Sequence, residues 1–115
     1  MIIRKTSIKD ARMGIEADGR VTVHVIFVNS QKTWKTIFNL SHPVEGPLFD
    51  KLLKYTGAQI TLELKDKEIR TVHSNSGELK AFGHIALDKF TTTWEASRKN
   101  LNYSNLEWLA RKGLI

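Results

Sequence analysis

Two stretches of this chain alternate apolar and polar residues with a period of two, and a short helical pattern lies between them. That arrangement commits most of the chain to antiparallel strands with a helix set among them. In the first stretch, 21–40, Val21, Val23, Val25 and Phe27 fall on one face. Asn29, Ser30, Gln31 and Lys32 form a turn cluster, after which Trp34, Thr36, Phe38 and Leu40 resume the alternation. An even-length turn pairs Phe27 with Trp34, Val25 with Thr36 and Val23 with Phe38. Both apolar sets then share a face, and a slip of one residue would expose them all, so the register is fixed. The opposite face carries Thr22, His24, Ile26, Val28, Thr33, Lys35 and Ile37. It is only half polar, so we expect something to cover part of it.

In the second stretch, 59–88, Ile60, Leu62 and Leu64 alternate with Gln59, Thr61, Glu63 and Lys65. A two-residue turn at Asp66 and Lys67 sets Lys65 opposite Glu68 and Glu63 opposite Arg70, two favourable cross-strand charge pairs. Asn75, Ser76 and Gly77 match a three-residue hairpin loop with glycine in the left-handed position. This register puts Leu79, Ala81, Ile85 and Leu87 on the face of Ile69 and Thr71. Phe82 then faces outward beside Arg70 and Lys80, with His84 flanking.

Between the two stretches, Pro47 suits the first position of a helix over 47–56. Leu48, Phe49, Leu52 and Leu53 form its apolar stripe, and Gly57 suits its C-terminal stop. Asp18 and Gly19 signal a hairpin turn joining 12–17 to Val21. After the last strand, Thr92 with Glu95 and Ser104 with Glu107 have capping-box spacing, predicting helices over about 93–101 and 105–112. The expected fold is α+β, an antiparallel barrel or strongly bent sheet. Its elements run β-β-β-α-β-β-β, followed by C-terminal helices. Over 1–88 this resembles the order of an oligonucleotide-binding (OB) barrel, which has three strands, a helix and two strands. One extra strand departs from that order. The whole chain, 1–115, reads as a single domain, with a β-rich core at 1–88 and a helical segment at 89–115.

Charge directs the functional reading. The 115 residues carry 18 Lys+Arg against 12 Asp+Glu, a net +6. The excess sits at both ends of the chain, and the middle is balanced. A basic field of this kind favours anionic partners, nucleic acid foremost. The predominance of lysine suits loose attraction to phosphate better than bidentate reading of bases. There is no cysteine, which removes thiolate chemistry and disulfides and fits a reducing, cytoplasmic setting. No apolar run reaches the ~20 residues of a membrane span, and the first residues do not read as a secretory signal.

No residue pattern points to catalysis. His24, His42, His73 and His84 lack metal-ligand spacing, and no carboxylate cluster, phosphate loop or nucleophile elbow is present. We therefore expect no catalytic residues, metal or cofactor, and no enzyme. Two functions remain. The first is weakly sequence-specific, backbone-led binding of nucleic acid, with a single strand preferred over a duplex. It would use Arg4, Lys5, Lys9, Arg12, Lys35, Arg70, Lys80, Phe82, Arg98 and Lys99. The second is a protein-interaction module, such as an accessory subunit, assembly factor or inhibitor, which would use Ile26, Val28, Ile37 and Trp108. Its simplest form is a homodimer. Trp34 lies between Lys32 and Lys35, yet its phase with Phe38 assigns it to the core rather than to a base-stacking platform.

Overall fold

The computed structural model describes residues 2–91. Five strands, β1 (Ile2–Ile15), β2 (Val21–Val28), β3 (Thr33–Asn39), β4 (Glu68–His73) and β5 (Leu79–Gly83), form one antiparallel sheet in the order β3-β2-β1-β4-β5. β1 is shared between the two halves. Its first six residues pair with β4 and its later residues with β2, so the sheet curls about it as a half-barrel. One helix, α1 (Glu45–Thr56), lies between β3 and β4 and packs on the concave face. No helix among the described residues is long and apolar enough to cross a membrane.

The first hairpin has the expected register: Phe27 faces Trp34, Val25 faces Thr36 and Val23 faces Phe38. Val23, Val25, Phe27 and Phe38 are essentially fully buried. On β1, Ile8 and Ala11 both point inward although they are three positions apart, a spacing that a regular strand forbids. A bulge at Lys9 absorbs the extra residue and bends the strand. α1 buries Leu48, Phe49, Leu52 and Tyr55. It begins at Glu45, two residues before Pro47, because His42 Nδ1 accepts hydrogen bonds from the backbone N–H of Val44 and Glu45 (3.1 and 3.3 Å). It ends at Gly57, whose φ of 75° is the left-handed value that glycine adopts without strain. Phe38 of β3 and Phe82 of β5, from opposite edges of the sheet, meet edge-to-face at 6.5 Å. Phe49 and Tyr55 of α1 complete the cluster at 5.6 and 6.2 Å.

The second stretch departs from expectation in two ways. Residues 59–65 are not a strand. Thr61–Leu64 forms a short 3₁₀ helix, and only Leu64 of the alternating set is buried, with Ile60 at 56% and Leu62 at 79% exposure. The cause is topological. β4 is hydrogen-bonded on one side to β1 and on the other to β5, so no edge of β4 is left for 59–65. The pairs Lys65–Glu68 and Glu63–Arg70 therefore do not form, and Glu68 binds Lys5 of β1 at 3.0 Å.

The second departure is register. The loop at 74–78 closes as expected, with Ser74 N–H on Glu78 O (2.9 Å) and His73 opposite Leu79. Lys80 then bulges, so Val72 pairs with Ala81 and Thr71 with Phe82. Phe82 thus turns inward to 0% exposure instead of facing out. Ile85 and Leu87 lie beyond β5, in a segment over 84–90 that folds back to pair Gly83 with Phe90. The helices expected over 93–101 and 105–112 lie outside the described residues.

Candidate nucleic-acid interface

The basic residues of β1 do not form one patch. Arg4 pairs with Thr71, which places it on the concave face at the open end of the half-barrel. Lys5 points to the other face, where Glu68 neutralises it. Lys9 is exposed at the bulge. Arg12 Nε donates to Asp10 at 2.9 Å, and this bond leads the causes that hold the Asp10 carboxyl below its ordinary range.

Arg70, Lys80 and Phe82, expected to share a surface, have other roles. Arg70 Nε donates to His84 O at 2.7 Å, and its NH2 group donates to Leu87 O. Its guanidinium lies 4.6 Å above the Phe90 ring centre and 3.8 Å from Asp88. It is the staple that ties 84–90 to the sheet. The Lys80 side chain is only 12% exposed and pairs with Glu78 at 3.3 Å. Phe82, fully buried, offers no ring to a base. Arg98, Lys99 and Trp108 lie outside the described residues.

Three surfaces among the described residues carry cations without an ion-pair partner. The first is the outer face of β2 and β3. There Lys35 is exposed, opposite Ile26, and Ile37, 45% exposed, lies opposite His24. Ile26 and Val28 are half-buried. At one end of this face Glu16 accepts from the Thr22 hydroxyl (2.7 Å) and contacts His24 Nε2 (3.2 Å), and these bonds, in that order, lower its pKa.

The second surface is a cleft of about 600 Å³ between α1 and 84–90, lined by Lys51, Lys54, Tyr55, His84 and Lys89. Its one acid is Asp88, which faces Arg70. Burial pushes the Tyr55 hydroxyl pKa up.

The third is a cleft of about 260 Å³ where the β2–β3 turn meets the β4–β5 turn. Lys32 Nζ donates across it to Gly77 O and lies 5.3 Å from the Trp34 ring centre. Arg4 and Lys32 line the cleft, with Asn29, Gln31, Asn75 and Ser76 as its uncharged polar groups and no carboxylate. Trp34, as expected, belongs with the core: it is half-buried and stacks on Phe27 at 5.3 Å.

Beneath this third cleft runs a buried polar chain. Thr6 and Thr71 are completely buried and His73 is 2% exposed. Thr6 Oγ1 meets Thr71 Oγ1 at 2.7 Å, and Thr71 Oγ1 meets His73 Nε2 at 2.7 Å. His73 Nδ1 lies 3.3 Å from Gly77 O, and a carbonyl can only accept, so Nδ1 carries the proton. For the neutral ring, Nε2 must then accept from Thr71, and Thr71 from Thr6. Asn29 Nδ2 donates to Thr6 at the far end (3.5 Å). Burial is the leading cause that lowers the His73 pKa, opposed by the bond to Gly77 and reinforced by the charges of Lys32 and Arg4.

Sequence reasoning picked out Arg4 as one of the basic residues of the first strand, but not this cleft, nor Lys32, Asn29 or His73 as part of a site. The signal it lacked is the pairing of β1 with β4, which brings two turns more than 40 residues apart into contact (Lys32 to Gly77 is a separation of 45). Among the described residues no group of three or more His, Asp or Glu is placed to hold a metal. Neither a protein-family model nor a curated protein matches this chain.

Proposed function

We propose that this chain is a small nucleic-acid-binding domain that grips the backbone of a single strand with weak sequence preference and performs no catalysis. The observation that carries this reading is the set of cations left without carboxylate partners beside open space: Arg4 and Lys32 at one cleft, Lys51, Lys54 and Lys89 at the other, and Lys35 on the outer face. Cations held apart from acids are available to displace counterions from phosphates, which is the main source of non-specific affinity. The sheet order, with the helix between the third and fourth strands, supports an OB-like barrel, a fold whose β2–β3 face often holds oligonucleotides. Lys9 at the bulge, Lys5 and Arg12 would add long-range attraction only, and Arg98 and Lys99 lie outside the described residues. The lack of cysteine supports a cytoplasmic setting.

Fluorescence anisotropy with labelled oligo-dT tests this reading. We expect micromolar or tighter binding at low salt, weaker binding to a duplex of equal length, and log K falling linearly with log salt. No binding at micromolar protein in low salt overturns it. The exposed Ile37, with Ile26 and Val28 beside it, supports a second reading, a protein-interaction face that in its simplest form makes a homodimer. Sedimentation of a strict monomer whose size is unchanged between wild type and Ile37→Lys removes the homodimer.

A further inference from the structure

We infer that the cleft between the β2–β3 and β4–β5 turns is a phosphate-binding pocket, with Arg4 and Lys32 as its cations. As a contact to a strand it rests on the nucleic-acid reading; as a pocket for a free phosphate it does not. Four observations carry it. The lining holds two cations and no acid. Arg4 stands in the part of β1 that pairs with β4, directly opposite Thr71, which fixes its backbone on that side, while its side chain makes no ion pair. Its planar fork of donors is suited to two phosphate oxygens. Lys32 uses one of three ammonium donors on Gly77 O, and that bond holds it at the mouth.

The fourth observation is the floor. His73 lies in the same lining as Lys32 and Arg4, with its Nδ1 turned to Gly77 O. The volume of about 260 Å³ equals roughly eight or nine waters at ~30 Å³ each, room for a phosphate group and part of its hydration. Asn75 and Ser76 on one turn and Gln31 on the other supply neutral polar groups around the rim. His73 belongs to the lining, and the Thr71 hydroxyl bonded to its ring is completely buried, as is Thr6 beyond it.

The test is an amide chemical-shift titration of the full chain. The probes are inorganic phosphate, oligo-dT with a 5′ phosphate, and the same oligo-dT without one. Inorganic phosphate should shift the Gln31, Ser76 and Gly77 amides saturably, and Arg4→Gln should weaken it by about fivefold or more, with Arg4→Lys intermediate. Because the Arg4 side chain has no partner to lose, the melting temperature of Arg4→Gln should match wild type. The 5′-phosphorylated oligonucleotide should bind more tightly than the unphosphorylated one if the cleft takes a strand end, and equally if it takes an internal phosphodiester. For either, Arg4→Gln should lower the slope of log K on log salt by about 0.7. Absence of the amide shifts, or the same shifts and affinity in Arg4→Gln, overturns the pocket, and oligo-dT binding that persists then leaves the nucleic-acid reading standing. Phosphate binding without any oligo-dT binding does the reverse.

Discussion

His73 is held neutral by its surroundings, and that neutrality orders the hydrogen bonds around it. If Nε2 gained a proton, Thr71 would have to stop donating to the ring and turn elsewhere, and Arg4 O, 3.5 Å away, can accept from it. Because its folded pKa lies below the ordinary 6.5, the unfolded chain binds more protons near that pH. The stability this provides is present in full above pH ~6.5 and is lost as the pH falls towards the lower folded value. Urea unfolding at about pH 7.5 and about pH 5.5 should show that loss, and His73→Gln should flatten it. An unaltered pH profile in His73→Gln would assign the effect to another group. Thr71→Val removes the middle of the chain and leaves Thr6 and His73 short of a partner, so it should cost about 1–3 kcal/mol. Phe82→Ala should cost about 3–5 kcal/mol by emptying the core, where an outward-facing ring would have cost under about 0.5. Equilibrium unfolding measures both.

At the scale of elements, the segment 84–90 depends on Gly83. A Cβ there would run into the Phe90 ring and lie 2.5 Å from the Lys89 carbonyl. Gly83→Ala should therefore drive Phe90 out from under Arg70, which a rise in proteolysis within 84–90 would report. Unchanged cleavage would mean that Arg70 alone holds the segment. The same scale shows what the amino-acid sequence reveals. The first hairpin was legible to the residue, because eight alternating positions agree on one register. The turn at Gly77 and the stop at Gly57 were legible because each needs a left-handed residue. The bulge at Lys80 was not, since nothing in the composition of 79–83 marks it, and one skipped residue moved Phe82 from surface to core. Residues 59–65 alternate as a strand would, but alternation says nothing about whether a neighbour has a free edge. The phosphate cleft was illegible for a related reason: its two turns are ordinary polar loops until β1 brings them together.

At the scale of the molecule, the charge of the described residues is spread, with Lys and Arg on both clefts and along both faces of the sheet. A surface of this kind repels itself in the folded state, and screening relieves it. Raising NaCl from about 20 mM to about 500 mM should increase the melting temperature while weakening oligonucleotide binding. A melting temperature that falls over that range would mean that the pairs of Lys5, Arg12 and Arg70 outweigh the repulsion.

The division of β1 between two partners has a bearing on synthesis. Its later residues meet β2 almost as soon as both have left the ribosome. Its opening residues wait for β4, with 65 positions separating Thr6 from Thr71. At translation speeds of about 5–20 residues per second, that half-strand stays uncovered for roughly 3–13 seconds. A nascent chain carrying Ile2 and Ile3 in that exposed stretch gives a chaperone something to shelter, and gives a neighbouring polysome an edge to which it can wrongly attach.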